Sequence, residues 1–183
     1  MAKKKASNSK HLGLASIIAT ALGVLSVILF GVLPMMKSTL TTYLSETNYL
    51  YSGFSMIFGG EATNNWTTVY NSGTTTTGSS LVEVSFNTMA FVAFLLVVLG
   101  TLVSLANLVS KSLAKNKLVG LLAALLLLAG GVMMVTVKGS CLTALNINEH
   151  LVDLYSLGYG AIVSGIVAML AGLTTAAVSV LKK

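Results

Sequence analysis

Four stretches of about 20 residues without a single charged side chain (12–34, 89–110, 118–137 and 159–181) constrain this chain more than any other feature of it. At about 1.5 Å of rise per residue, each is long enough to cross a hydrocarbon core of about 30 Å, and a helix satisfies its own backbone groups there. Of the 183 residues, 55% are hydrophobic and 9% charged, against about 25% charged in a soluble domain. A soluble globular fold is excluded. What lies outside the four stretches leaves room for one small dome and no separate soluble domain.

The charges sort by membrane side. Lys3, Lys4, Lys5 and Lys10, then Lys111, Lys115 and Lys117, then Lys182 and Lys183 fall on one side, with no acid among them. The other side holds Lys37 and Lys138 with Glu46, Glu61, Glu83, Glu149 and Asp153, a balance of −3. The positive-inside rule puts the nine lysines in the cytoplasm. The expected layout is a multi-pass plasma-membrane chain with both termini cytoplasmic: N-terminus 1–11, span 12–35, outer loop 36–86, span 87–110, inner link 111–117, span 118–137, outer loop 138–158, span 159–181 and tail 182–183. The first span is read as uncleaved, because its apolar core exceeds the roughly 7 to 15 residues of a signal peptide and no small-residue cleavage site follows. Pro34, the only proline, stops that helix. The lysines orient spans and touch lipid headgroups, and no nucleic-acid partner is expected.

Helices in lipid associate by close packing, so small residues mark the faces that meet. The first span carries Ser16, Ala19, Gly23 and Ser26; the second carries Ala90, Ala93, Gly100, Ser104 and Asn107. The third carries Gly120, Ala124, Leu127 and Gly131; the fourth carries Ala161, Gly165, Ala168, Gly172, Thr175 or Ala176, and Ser179. Steps of three and four predict left-handed crossings near about +20° in a tight antiparallel four-helix bundle with a dry centre. Gly23, Gly100, Gly131, Gly165 and Gly172 are the expected packing glycines. Transporters usually carry ionisable groups within their spans, and these spans carry none. Asn107 reads as an interhelical hydrogen bond or a helix-end contact, and the serines and threonines are expected to bond back to their own helices.

Every tyrosine and the single tryptophan fall in the outer loops or at their boundary: Tyr43, Tyr49, Tyr51, Trp66, Tyr70, Tyr155 and Tyr159. An aromatic belt would populate both interfaces; this one-sidedness predicts a folded dome. Residues 81–86 alternate, with Val82, Val84 and Phe86 on one face and Glu83 and Ser85 on the other, as in a half-buried strand. Residues 66–70 form a second β-branched and aromatic run, and the Gly, Ser and Thr stretch 71–80 reads as a flexible hairpin tip between them. Residues 39–44 suit either a strand or an extension of the first helix. Gly59 and Gly60 would end a short helix in 52–60, and residues 142–147 read as an edge strand. The dome is then a small antiparallel sheet of three to five strands. Its most apolar part, with Tyr49, Leu50, Tyr51, Phe54, Met56, Ile57 and Phe58, suits a dome core, a membrane-interface contact or a docking surface.

Chemistry is sparse. Glu149, His150 and Asp153 lie together in one loop without a supporting His or Cys elsewhere outside, which is a poor metal set. His11 reads as an interfacial residue. Cys141, the only cysteine, reads either as an inert buried thiol or as a partner in an interchain bond. Asn65, Trp66 and Thr67 form a glycosylation sequon, meaningful only in a host that glycosylates through the secretory route. No phosphate-binding loop, dinucleotide fingerprint or Ser/His/Asp arrangement is present, so no catalytic, cofactor-binding or metal residue is assigned.

This layout resembles the claudin-like four-span fold, with short cytoplasmic ends, a first outer loop of about 50 residues, a short inner link and a short second outer loop. Only Trp66 matches the claudin loop signature, and both loop cysteines are absent, so barrier or pore function does not carry over. The segments YSGFSMIFGG and GYGAIVSGIVAML look like those of small uncharacterised four-span proteins of low-GC Gram-positive bacteria, which implies topology alone. The expected function is non-catalytic: interaction, by self-association or as an accessory subunit of a membrane assembly, through bundle and dome. Tyr49, Tyr51, Phe54, Phe58 and Trp66 are the candidate surface; membrane lipids and other membrane proteins, or a second copy, are the expected partners. The alternative is a small channel or transporter without ionisable membrane residues.

Overall fold

The computed structural model describes residues 2–110, 113 and 116–181. Lys111, Lys115, Lys182 and Lys183 lie outside the described residues, as do the side chains of Lys3, Lys4, Lys5, Lys10 and His11. Four helices are long and apolar enough to cross a membrane, with mean hydropathies of 2.1 to 2.6. They are α1 (Ala2–Val32), α3 (Thr88–Val109), α4 (Lys117–Thr136) and α6 (Tyr159–Leu181). The short α2 (Gly53–Phe58) and α5 (Lys138–Ala144) lie in the connections. Asn87 and Asn116 start α3 and α4 as N-caps, their side-chain oxygens accepting from Ala90 N and Leu118 N, each at 3.0 Å. Such caps satisfy backbone donors that the first turn leaves unpaired.

The helices form a ring: α1 touches α3 and α6, and α4 touches the same two. Their contact faces are made of small residues. A Cβ at Gly165 would lie 2.7 Å from Val135 Cγ1 and 2.8 Å from the Gly131 carbonyl oxygen, and one at Gly131 would lie 2.8 Å from the Gly165 carbonyl oxygen. Gly172 stands as close to Leu128 and Ala124, Gly100 to Leu127, and Gly23 to Thr101. Outward positions carry Leu14, Ile17, Leu102, Leu125, Ile166 and Leu173, all exposed, which is the distribution a lipid solvent requires.

The first connection forms four strands, β1 (Pro34–Thr41), β2 (Ser45–Ser52), β3 (Gly60–Tyr70) and β4 (Thr75–Val84); the second adds β5 (Tyr155–Leu157). The antiparallel sheet has the order β4-β3-β2-β1-β5. Pro34 begins β1 directly after α1, so the fixed φ that ends the helix also starts the strand. A register shift between Pro34 and Met36 lets both Met35 and Met36 be fully buried. Gly59, at φ 74°, ends α2 and turns the chain into β3.

Two sequence readings are corrected, and one left open between two alternatives is decided for the strand. Residues 39–44 do not extend the first helix; β1 covers Thr39 to Thr41. The 71–80 stretch is a turn only at 71–74, because Thr75, Thr76 and Thr77 pair with Val69, Thr68 and Thr67; β-branched threonines suit a pleated surface better than their polarity suggests. Residues 142–147 form no strand: Leu142 and Ala144 belong to α5, and the strand of this connection is β5. Cys141, Leu142, Ala144 and Leu145 are buried in the core, at the spacing of one helical face, and a short apolar run of this kind fits a helix as well as a strand.

Replacing Gly165 with Leu is expected to cost about 2 kcal/mol or more through overpacking. Gly13→Ala, where a Cβ meets nothing within 4 Å, should leave stability unchanged or slightly raised. Thermal unfolding in detergent reads both.

Candidate functional site

Two regions gather the residues with chemical character. The first is the sheet face that carries Ser38, Tyr49, Trp66 and Gly78 at one level and Met36, Tyr51, Asn64 and Ser80 at the next, as the strand registers dictate. Trp66 lays its indole over Gly78, which has no Cβ to displace it. Tyr49 and Trp66 are half-buried, whereas Tyr51 is buried. Tyr51 faces Tyr155 at a ring separation of 6.2 Å, so the face spans the seam between the two connections. Burial first, then the hydrogen bond to Tyr155, holds the Tyr51 hydroxyl above the ordinary tyrosine range. Asn64 Oδ1 is buried there without a hydrogen-bond partner.

Phe54 and Phe58 are not part of that face. They lie on α2, stacked at 6.4 Å, and Phe58 meets Phe91 and Phe94 of α3 edge-on at 5.9 and 5.8 Å. Phe54 rests on Gly31 of α1. This aromatic wedge holds α2 against both helices yet leaves Phe54 49% and Phe58 47% exposed. The five candidate surface residues therefore divide into a sheet group, Tyr49, Tyr51 and Trp66, and a helix group, Phe54 and Phe58.

The second region is a polar node near the far end of the bundle. Ser16, Ser104, Asn107, Thr175 and Ser179 line a cavity of about 10 Å³, room for one water. Ser16, Thr175 and Ser179 each donate to the carbonyl four residues back, leaving only acceptor lone pairs for the cavity. Thr20 donates to Ser16 O and meets Ser104 Oγ at 2.9 Å, bridging α1 to α3. Asn107 Oδ1 is buried and unpartnered. The hydroxyl oxygens and Asn107 Oδ1 face the cavity as acceptors, which suits a hydrogen donor such as water. Farther along, Ser26 Oγ donates across from α1 to the Ser164 carbonyl at 2.8 Å. These two interhelical bonds were not legible in the sequence, where each serine and threonine fits back-bonding equally well.

Cys141 lies under the sheet, its Sγ receiving the Asn87 amide at 3.4 Å and 3.5 Å from Met35 Sδ. Burial pushes the thiol up to about 12, the Asn87 hydrogen bond opposing this. Full enclosure fits the inert reading rather than the interchain one. Glu149, His150 and Asp153 sit exposed on a 3₁₀ turn (Glu149–Leu154), and among the described residues no three His, Cys, Asp or Glu side chains come together.

No protein-family model matches this chain, and no curated protein matches it in sequence. The claudin resemblance accordingly rests on layout alone.

Cys141 should resist a maleimide at pH 8 in the folded protein and react fully in denaturant. Its folded value lies above the ordinary thiol value of 9.0, so the stability it contributes is complete below pH 9 and declines as the pH rises towards 12. Cys141→Ala should flatten that part of the alkaline stability profile.

Proposed function

We propose that this chain is a non-catalytic integral protein of a bacterial plasma membrane that acts by interaction, through self-association or as an accessory subunit. In this reading the four helices form a left-handed antiparallel bundle, the sheet stands outside in a claudin-like layout, and the lysine ends of the helices are cytoplasmic. The observation that carries the reading is the aromatic surface left open beside the sheet: Phe54 and Phe58 on α2, half exposed while fixed by three other helical contacts. Aromatic side chains that are both exposed and rigid lose little entropy on docking, which is why interfaces favour them. The half-covered Tyr49 and Trp66 add a second aromatic surface on the sheet.

The polar node favours a second reading, a small channel or transporter that works without ionisable membrane groups. Hydroxyl and amide groups from three helices meet there. Towards the sheet the bundle is filled by Val97, Leu127, Met134 and Ala168, all fully buried, which supports the closed-bundle reading over a continuous hydrated route.

Crosslinking in native membranes, followed by mass spectrometry, is expected to recover a recurring partner or a dimer, reduced several-fold in Phe54→Ser/Phe58→Ser; recovery of monomer alone would overturn the proposal. Liposome flux assays should show no conductance, and robust flux would establish the second reading instead. For orientation, cysteines placed at the exposed Ser72 and Leu113 should label from outside and inside respectively in a Cys141→Ala background.

A further inference from the structure

A shallow, open apolar crease runs along the outer surface of α4 where it meets α6, lined by Leu121, Ala124, Leu125, Leu128 and Val132 of α4 and Ala176 of α6. Its floor is cut by the alanines: Ala124 is 2% exposed, and the methyl groups of Ala129 and Ala176 leave width where any larger side chain would fill the crease. From Leu121 to Val132 the groove extends about 16 Å at the helical rise, close to the half-thickness of a hydrocarbon core of about 30 Å. It is therefore the length of one leaflet and not of a whole span.

The charge at one mouth selects the occupant. Lys117 is exposed and lies four residues before Leu121, so it stands one turn above the groove on the same face of α4. The sequence places Lys111 and Lys115 in the link before α4, and Lys182 and Lys183 directly after Leu181 of α6. All five acids lie in the connections at the sheet end. A shallow apolar crease one leaflet long, with the exposed Lys117 one turn beyond its end, matches an acyl chain joined to a negative headgroup. A second copy fits poorly: two such faces meeting in parallel would bring their lysine ends together with no acid to relieve them.

We propose that the α4/α6 groove is a binding site for one anionic glycerophospholipid, its acyl chain lying along Leu121 to Val132 and its phosphate on Lys117. The site rests on the four helices being membrane spans and is independent of what docks on the aromatic surface.

The test reconstitutes the full chain in vesicles of equal phosphatidylglycerol and phosphatidylcholine, extracts it gently and counts retained lipid by native mass spectrometry. One phosphatidylglycerol per chain is expected, favoured over phosphatidylcholine by roughly fivefold or more, the factor one lysine supplies near an anionic group. Lys117→Gln, an exposed change that leaves packing untouched, should lower the preference for phosphatidylglycerol by about fivefold, and Ala176→Phe should abolish retention of both. Equal retention by the unmodified protein, or undiminished retention by Ala176→Phe, overturns the proposal. Disulfide dimers through a cysteine at Leu125 in the Cys141→Ala background would overturn it too, by assigning the groove to a second copy. A chain that leaves the vesicles in alkaline carbonate would instead refute membrane insertion itself, a result separable from both lipid selectivity and partner crosslinking.

Discussion

The close approach of α4 and α6 at Gly131 and Gly165 governs much of this structure. Lipid is as apolar as leucine, so burying leucine against leucine gains little in a membrane, and helices adhere only where their surfaces come near enough for dense dispersion contact. Each of the two glycines brings its carbonyl oxygen within 2.8 Å of where the other's Cβ would stand. Larger side chains at either position would part the helices. At Gly100, Gly130 and Gly172 the missing Cβ instead admits the side chains of Leu127, Val97 and Leu128 from the facing helix. Two interhelical hydroxyl bonds, worth about 0.6 kcal/mol each in membrane proteins, are too weak to hold such a ring; their directionality fixes how the helices slide past one another.

At the sheet end, contact is made differently. The last turn of α1 is a meeting point: Gly53 of α2 sits on the carbonyls of Phe30 and Gly31, while Gly158 and Gly160 sit on Leu33 and Pro34. β5 pairs with β1 from Met36 to Ser38, and Ser85 N donates to Ala144 O, tying the end of β4 to α5. The two connections are thus one folded unit. Its aromatic wedge anchors to α1 and α3, and its sheet carries the tyrosine seam.

The membrane helices were legible because a run of uncharged residues long enough for a bilayer has few alternative meanings. Gly59 and Pro34 were legible for a similar reason, each restricting the backbone in one way. The sheet was less so. Thr75 to Thr77 look like a linker by composition but are strand by pairing, and residues 142–147, a short apolar run that suits strand or helix, follow a helix in their burial. β2 contains Glu46, Thr47 and Asn48, which pair with Val69, Thr68 and Thr67, and polar strands advertise themselves only through neighbours that a linear reading does not see. The candidate surface was legible in composition but not in its division: nothing in the spacing of Tyr51 and Phe54 says that one joins a sheet and the other braces two helices. The groove between α4 and α6 depends on which alanines of two distant segments share a crease, and no single segment reveals it.

The pairing of β5 with β1 makes the connectivity of the ring lopsided. At the sheet end all four membrane helices are stitched into one hydrogen-bonded body; at the other end, the link between α3 and α4 is the one covalent tie among them. Paired strands hold the helices together at one end; at the other, contacts between side chains do it, and the Thr20–Ser104 bond with the close seat of Gly120 on Ser179 takes the place that the sheet fills opposite.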